Sequence, residues 1–125
     1  MYTRVCVYVA LTIGVFLFAV VTTRNKYIQD IDKRRVVLMD PILATGNSLC
    51  RAIQLLRDHG TPEDYIVVLT IIAAPQGIHK LYSRYPNVKL ITSEVDEDVD
   101  SLGKVIPGIG EFGDRYFGTD DFRTL

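Results

Sequence analysis

The chain has 125 residues, with 14 lysines and arginines against 15 aspartates and glutamates and a formal net charge of −1. That balance gives no electrostatic footprint for nucleic acid, and the length accommodates one small domain. Its two cysteines, Cys6 and Cys50, lack the spacing of a metal site or a disulfide framework, and Cys50 falls where a helix would pack it.

Residues 1–26 form a hydrophobic N-terminal segment, and residues 27–125 read as a separate unit. Val5 to Val21 carries no charge. As a helix it would span about 25 Å, and Thr22 and Thr23 bring it close to a hydrocarbon core of about 30 Å. Arg4 precedes it, whereas Arg24, Lys26, Lys33, Arg34 and Arg35 follow. The positive-inside bias then places the remainder in the cytoplasm, anchored to the membrane by a single N-terminal helix. The run is long for a secretory signal and its cleavage site is poor. Its β-branched residues also admit a buried strand pair.

Beyond the segment, strand and helix signals alternate. Lys33–Arg35 leads into a strand at Val36–Met39. Leu49, Ala52, Ile53, Leu55 and Leu56 then recur at helical spacing within Ser48–His59, with Gly60 as the C-terminal cap. Thr61–Asp64 is a turn, and Tyr65–Ile72 is an apolar run of buried-strand type. Pro75 opens a helix over Gln76–Tyr85, and Val88–Thr92 is a third strand. This order predicts an α/β fold of right-handed crossovers: a parallel sheet with flanking helices on both faces, preceded by the N-terminal hydrophobic helix. A ligand then belongs at the carboxyl ends of the strands, where Asp40 and Ala73-Ala74-Pro75 fall.

The densest chemical signal is the stretch from Val36 to Ser48. An apolar strand ends in Asp40. The residues Pro41, Ile42, Leu43, Ala44, Thr45, Gly46, Asn47 and Ser48 form a tight loop, and a helix N-terminus follows. The backbone N–H groups of the loop and the first helical turn converge on an anion there, and the helix dipole favours it. Thr45 and Ser48 add hydroxyl donors, and Asn47 or Ser48 can cap the helix. Asp40 lies at the edge of this cradle, placed to accept hydrogen bonds from hydroxyls of the same ligand. A sugar phosphate satisfies both halves, against the plainer reading of an N-cap beside an ordinary strand-end carboxylate.

Gly108-Ile109-Gly110-Glu111-Phe112-Gly113 fits the pattern G-x-G-x-x-G, yet too little chain follows for the βαβ unit of a dinucleotide site. An exposed backbone there suits a small planar base instead. The acidic run Glu94–Asp100 reads as a solvated loop, and Asp114-Arg115 beside Tyr116 and Phe117 as a docked tail. His59 and His79 suit a helix terminus or packing and receive no role. No Gly-x-x-x-x-Gly-Lys-Ser/Thr run occurs, so there is no kinase phosphate loop.

Val36 to Ser48 resembles the 5-phosphoribosyl-diphosphate (PRPP) loop of type I phosphoribosyltransferases. Asp40-Pro41 stands where most members carry two adjacent acids, in the form typical of uracil phosphoribosyltransferases. Val105 to Asp120 resembles the uracil-binding loop of that family, in wording closest to the domain fused to eukaryotic uridine kinase-like proteins. The resemblance runs from about Tyr27 to Phe122 and covers the C-terminal half of the family's domain. It therefore implies a partial type I phosphoribosyltransferase fold, with the missing strands supplied by a homo-oligomer or by pairing with a longer isoform. The implied PRPP site is Asp40, Pro41, Ile42, Leu43, Ala44, Thr45, Gly46, Asn47, Ser48 and Glu111, with Asp40 catalytic. The implied uracil site is Val105, Gly110, Glu111 and Phe112, with Mg²⁺ bound through PRPP and no metal ligand from the protein. Asp96 is the only member of the acidic run at a family position. Asn47 replaces a glycine of the bacterial-type pattern, and Glu111 replaces the usual Asp. The implied reaction converts uracil and PRPP to UMP and pyrophosphate in pyrimidine salvage. The alternatives are a catalytically inactive homologue that binds UMP, uracil or a partner subunit, and a membrane-tethered interaction domain.

Overall fold

The computed structural model describes residues 5–9, 30–109 and 118. Its elements are β1 (Val5–Val9), β2 (Arg35–Met39), β3 (Ile42–Leu43), α1 (Asn47–Asp58), β4 (Ile66–Ala73), α2 (Pro75–Arg84), β5 (Lys89–Val95), β6 (Asp98–Val99) and β7 (Val105–Ile106). Short 3₁₀ turns stand at Ile31–Lys33 and Glu63–Tyr65.

The strands β1, β2, β4 and β5 are parallel neighbours in that order. β3 resumes the line of β2 and pairs with the far end of β4, Ile42 opposite Ile72 and Leu43 opposite Ala73. Successive strands thus step across the sheet in one direction. Right-handed crossovers then set α1 and α2 on the same face. Leu49, Cys50, Ala52, Ile53 and Leu56 of α1 and Leu81 of α2 share one core with Val36 and Leu38 of β2 and Ile66 and Val68 of β4. Leu69, Ile71 and Ile91 have the opposite parity and remain exposed. The expectation of helices on both faces is corrected among the described residues: a sheet that never reverses its stepping direction has no reason to place a crossover on its second face.

The N-terminal expectation also changes. Val5–Val9 is a strand paired in parallel with Arg35–Met39, not the start of a membrane-crossing helix. A short apolar run rich in valine serves a buried parallel strand as well as a helix, and pairing with β2 decides it. The rest of Val5–Val21 lies outside the described residues, among which no helix is long and apolar enough to cross a membrane.

Elsewhere the boundaries fall close to expectation. α1 ends at Asp58, and Gly60 at φ +89° turns the chain left-handed while Thr61 N–H bonds back to the Leu56 carbonyl at 3.0 Å. The acidic run is largely exposed, as expected, but most of it is strand rather than loop. Glu94 and Val95 finish β5, and Asp98 and Val99 form β6, antiparallel to β7. The Asp100 carboxylate closes that hairpin by accepting from the N–H groups of Leu102 and Lys104, both at 2.8 Å.

The tightest contact between elements is made by α2. A Cβ at Gly77 would lie 2.4 Å from the Ala44 carbonyl oxygen and 3.0 Å from Leu43 Cγ. Leu43 ends β3 and Ala44 follows it, and the nearer contact is backbone, which cannot rotate aside. Gly77→Ala gains about 1 kcal/mol of helix propensity but overpacks this seam, at about 1–3 kcal/mol. The expected result in urea unfolding is a net loss of stability. Ser83→Ala, on the exposed side of α2, is expected to be neutral or mildly stabilising.

Candidate functional site

Asp40 occupies a kink in the sheet. Its N–H extends the β2 ladder by donating to the Leu69 carbonyl at 3.0 Å, after which the chain leaves the ladder until Ile42 rejoins it. Pro41 has no N–H to offer, but its carbonyl accepts from Ile71 N–H at 3.1 Å, Ile72 N–H at 3.2 Å and Thr70 Oγ1 at 3.2 Å. Thr70 is itself buried. One polar side chain in an apolar strand therefore fixes the turn that carries Asp40.

Asp40 is 4% exposed, and among the described residues its Oδ1 has no hydrogen-bond partner. Burial pushes the carboxyl up to about 7, and the Ile42 backbone N–H only partly offsets this. A buried acceptor without a donor is destabilising, and a ligand hydroxyl would satisfy it.

The cradle follows. Leu43 sends its side chain into the core, Ala44 and Thr45 are half-buried, and Asn47 and Ser48 are exposed. Gly46 is the N-cap of α1 at φ +74°, and a Cβ there would lie 3.2 Å from the Gly77 carbonyl oxygen. Neither Asn47 nor Ser48 is the N-cap, contrary to expectation: Gly46 holds that place with no side-chain cap bond, and the first turn contains no acid. The Asn47 amide oxygen instead accepts from Lys80 Nζ on α2. Asn47 also has no left-handed backbone to tolerate, because Gly46 alone takes that conformation here. The first bond of α1 runs from Cys50 N–H to the Gly46 carbonyl at 3.0 Å, so the N–H groups before it are not committed to the helix. An uncapped, acid-free helix N-terminus with a cation beside it favours an anion.

The β6–β7 hairpin forms a second wall. At its tip, a Cβ on Gly103 would lie 3.4 Å from Thr45 Cγ2. Gln76 in the first turn of α2 donates to the Asp98 carboxylate of β6. Val105, expected at the base, is 5% exposed in β7. Gly110, Glu111 and Phe112, with Asp114 to Phe117, lie outside the described residues. The structure thus brings together Asp40, the Ala44–Ser48 loop and the hairpin tip at the carboxyl ends of the strands.

Three residues of this arrangement escaped the sequence reading. Gly77 had a visible signal, a glycine two positions after a helix-opening proline, where only a close approach explains it. Thr70 is the hydroxyl in an otherwise apolar strand. Asp96 was set apart from the acidic run only by its family position, and what escaped was its contact: its Oδ2 accepts from Gly108 N–H at 2.9 Å.

Comparison with known proteins gives consistent matches. The sequence model of the family described as uracil phosphoribosyltransferase matches residues 18–119, starting inside the apolar segment. The chain is 53% identical to uridine kinase-like protein 4 of Arabidopsis thaliana over 97 residues, which is 78% of this chain and 21% of that protein. It is 44% identical to uracil phosphoribosyltransferase 1 of Schizosaccharomyces pombe over 91 residues, 73% of this chain and 42% of that one. A solved protein of Aquifex aeolicus superposes with a TM-score of 0.69 at 30% identity, covering 74% of this chain and 44% of its own. The chain therefore spans less than half the length of these relatives. With a family match over most of its residues, it belongs to the uracil phosphoribosyltransferase family.

Proposed function

We propose that this chain carries the PRPP cradle and the uracil loop of a uracil phosphoribosyltransferase site, serving the conversion of uracil and PRPP to UMP and pyrophosphate in pyrimidine salvage. The observation that carries the reading is the unpartnered, buried oxygen of Asp40 beside an uncapped, acid-free helix N-terminus. One feature calls for hydroxyl donors and the other for an anion, and a phosphorylated ribose supplies both.

In this reading the N–H groups from Ala44 to Ser48, with the hydroxyls of Thr45 and Ser48, hold the 5-phosphate. Asp40 accepts from the ribose hydroxyls. Pro41, Ile42 and Leu43 act through their backbone, since β4 and the core hold them. Val105, Gly110, Glu111 and Phe112 line the base, and Glu111 also approaches PRPP. Mg²⁺ enters with PRPP and, when bound, neutralises charge on the departing diphosphate. The unpartnered Asp40 oxygen fits the ribose end of such a complex. The protein's own contribution is positional: phosphate and base held at fixed points leave C1 of the ribose facing uracil N1, which replaces diphosphate there.

A catalytically inactive homologue that binds UMP, uracil or a partner subunit is the second reading. The glutamate at position 111 favours it. A second copy of the chain, or a longer isoform, would pack on the sheet face that exposes Leu69, Ile71 and Ile91.

Ligand-induced stabilisation tests both readings together. UMP at 100 times its dissociation constant is expected to stabilise the chain by about 2.7 kcal/mol, and Asp40→Asn or Thr45→Ala to remove most of that gain. A folded chain that UMP leaves unmoved would overturn the site. Formation of UMP from labelled uracil, PRPP and Mg²⁺ then separates an enzyme from a binder.

Asp40 also sets an expected pH dependence. Its folded value of about 7 stands above the ordinary 3.8, so between these limits the folded chain binds more protons than the unfolded one. Stability without ligand therefore falls as pH rises from about 4 to about 7. Asp40→Asn is expected to match the parent near pH 4 and to exceed it at pH 8, by up to roughly 4 kcal/mol. UMP affinity runs the other way, rising through pH 7 in the parent as the carboxylate ionises and losing that step in Asp40→Asn. Titrations on both proteins check this, the variant isolating the ligand's own phosphate ionisation.

A further inference from the structure

The residue that follows β5 is held at two points. Asp96 N–H donates to the Ala73 carbonyl at 2.9 Å, which fixes it to the carboxyl edge of the sheet. Its Oδ2 accepts from Gly108 N–H, also at 2.9 Å, twelve residues on. Beside it, Glu97 N–H donates to the Ile106 carbonyl at 3.1 Å. The turn between these points is closed on itself. Gly108 has φ +49°, and a Cβ there would lie 2.3 Å from the Val105 carbonyl oxygen. Val105 is buried at the start of this turn.

The geometry points to Asp96 as the positioning residue of the base-reading loop, and so as a determinant of base affinity separate from the phosphate cradle. The inference rests on the reading of Val105 to Phe112 as the uracil loop. A loop that recognises a base through fixed backbone N–H groups discriminates only while those groups stay within a few tenths of an ångström of their places. Asp96 supplies the side-chain tie between the sheet and that loop, as a carboxylate accepting from a backbone amide, a charge-assisted bond. Among the described residues Asp96 has no hydrogen bond to Asp40 or to the Ala44–Ser48 loop. Removing its carboxylate should therefore separate two affinities that a general loss of structure would lower together.

The test titrates the full chain with UMP and with ribose 5-phosphate, which keeps the sugar phosphate and lacks the base. Asp96→Ala is expected to weaken UMP by about tenfold or more while ribose 5-phosphate stays within about twofold. Asp96→Asn, whose amide oxygen can still accept from Gly108 N–H, is expected to restore UMP to within about threefold of the parent. Equal losses for both ligands, or an unchanged UMP affinity in Asp96→Ala, would overturn the proposal. A parent chain that binds neither ligand overturns the phosphoribosyl reading itself. One that binds ribose 5-phosphate but holds UMP no more tightly overturns the base loop alone, and with it the role of Asp96. Should Asp96→Ala fail to fold, hydrogen exchange in the unaltered chain decides: the Gly108 amide is expected to be protected, and exchange at the rate of an unstructured peptide refutes the tie.

Discussion

Gly46 and Gly77 let two stretches of backbone meet with no side chain between them, and the geometry of the site depends on that contact. One glycine is left-handed at the N-cap of α1, and the other is in the first turn of α2. A mid-helix glycine costs about 1 kcal/mol relative to alanine, and the return on it is position. With no Cβ in the seam, the Ala44–Ser48 loop lies directly on a helix whose start is fixed by Pro75 at its first turn and by Ala74 N–H donating to the Leu43 carbonyl at 2.8 Å. The cradle is thus defined by close-packed backbone, which deforms far less readily than a chain of side chains.

Asp40 shows the opposite use of packing. The described ion pairs are ordinary: Arg34 with Asp30 at 2.6 Å and Arg57 with Glu63 at 3.8 Å are partly exposed and contribute little. Asp40 is buried without such a partner, and its carboxyl is pushed up accordingly. A fold selected for stability alone would place an asparagine or an apolar residue at this kink. In the proposed reading, keeping an acid there sacrifices stability for chemistry, as is usual where a site needs a group that the empty protein cannot satisfy. Thr70 belongs to the same compromise. Its hydroxyl bonds both the Pro41 and the Ile72 carbonyls, so the kink is supported from the neighbouring strand.

Much of this was legible in the sequence where periodicity is long. The strand at Tyr65–Ile72 and both helices were placed within a few residues, because apolar spacing over eight or more positions separates the two periods, and the short strand at Val36–Met39 was bounded by the charges before it and Asp40-Pro41 after it. Gly60 and Pro75 marked a helix end and a helix start by their own backbone chemistry. The strand–loop–helix order and the carboxylate of Asp40 followed from the same local logic. What escaped was non-local or too short. β3, β6 and β7 have two residues each, below any pattern. The Val5–Val9 strand is defined by pairing with residues thirty positions away, so an uninterrupted apolar run could not reveal it. The Asn47 side chain left its expected capping role for Lys80, thirty-three residues on, and Asp96 looked solvated until the turn at Gly108 came back to it.

In the proposed reading, the two halves of the site are joined by one short helix. On the phosphate side, α2 lends Gly77 to the cradle and Lys80 to the start of α1. On the base side, its Gln76 donates to Asp98 of β6, in the hairpin whose other strand carries Val105. Between them Thr45 meets the hairpin tip near Gly103. The separation of the cradle from the β6–β7 hairpin is therefore set by the first turns of α2 and the carboxyl edge of the sheet, rigid pieces both. A nucleoside monophosphate has a nearly fixed distance from phosphorus to base, so a scaffold of this kind can select for that length before any hydrogen bond to the base is made. On this view the loops supply chemical identity and α2 supplies the measure.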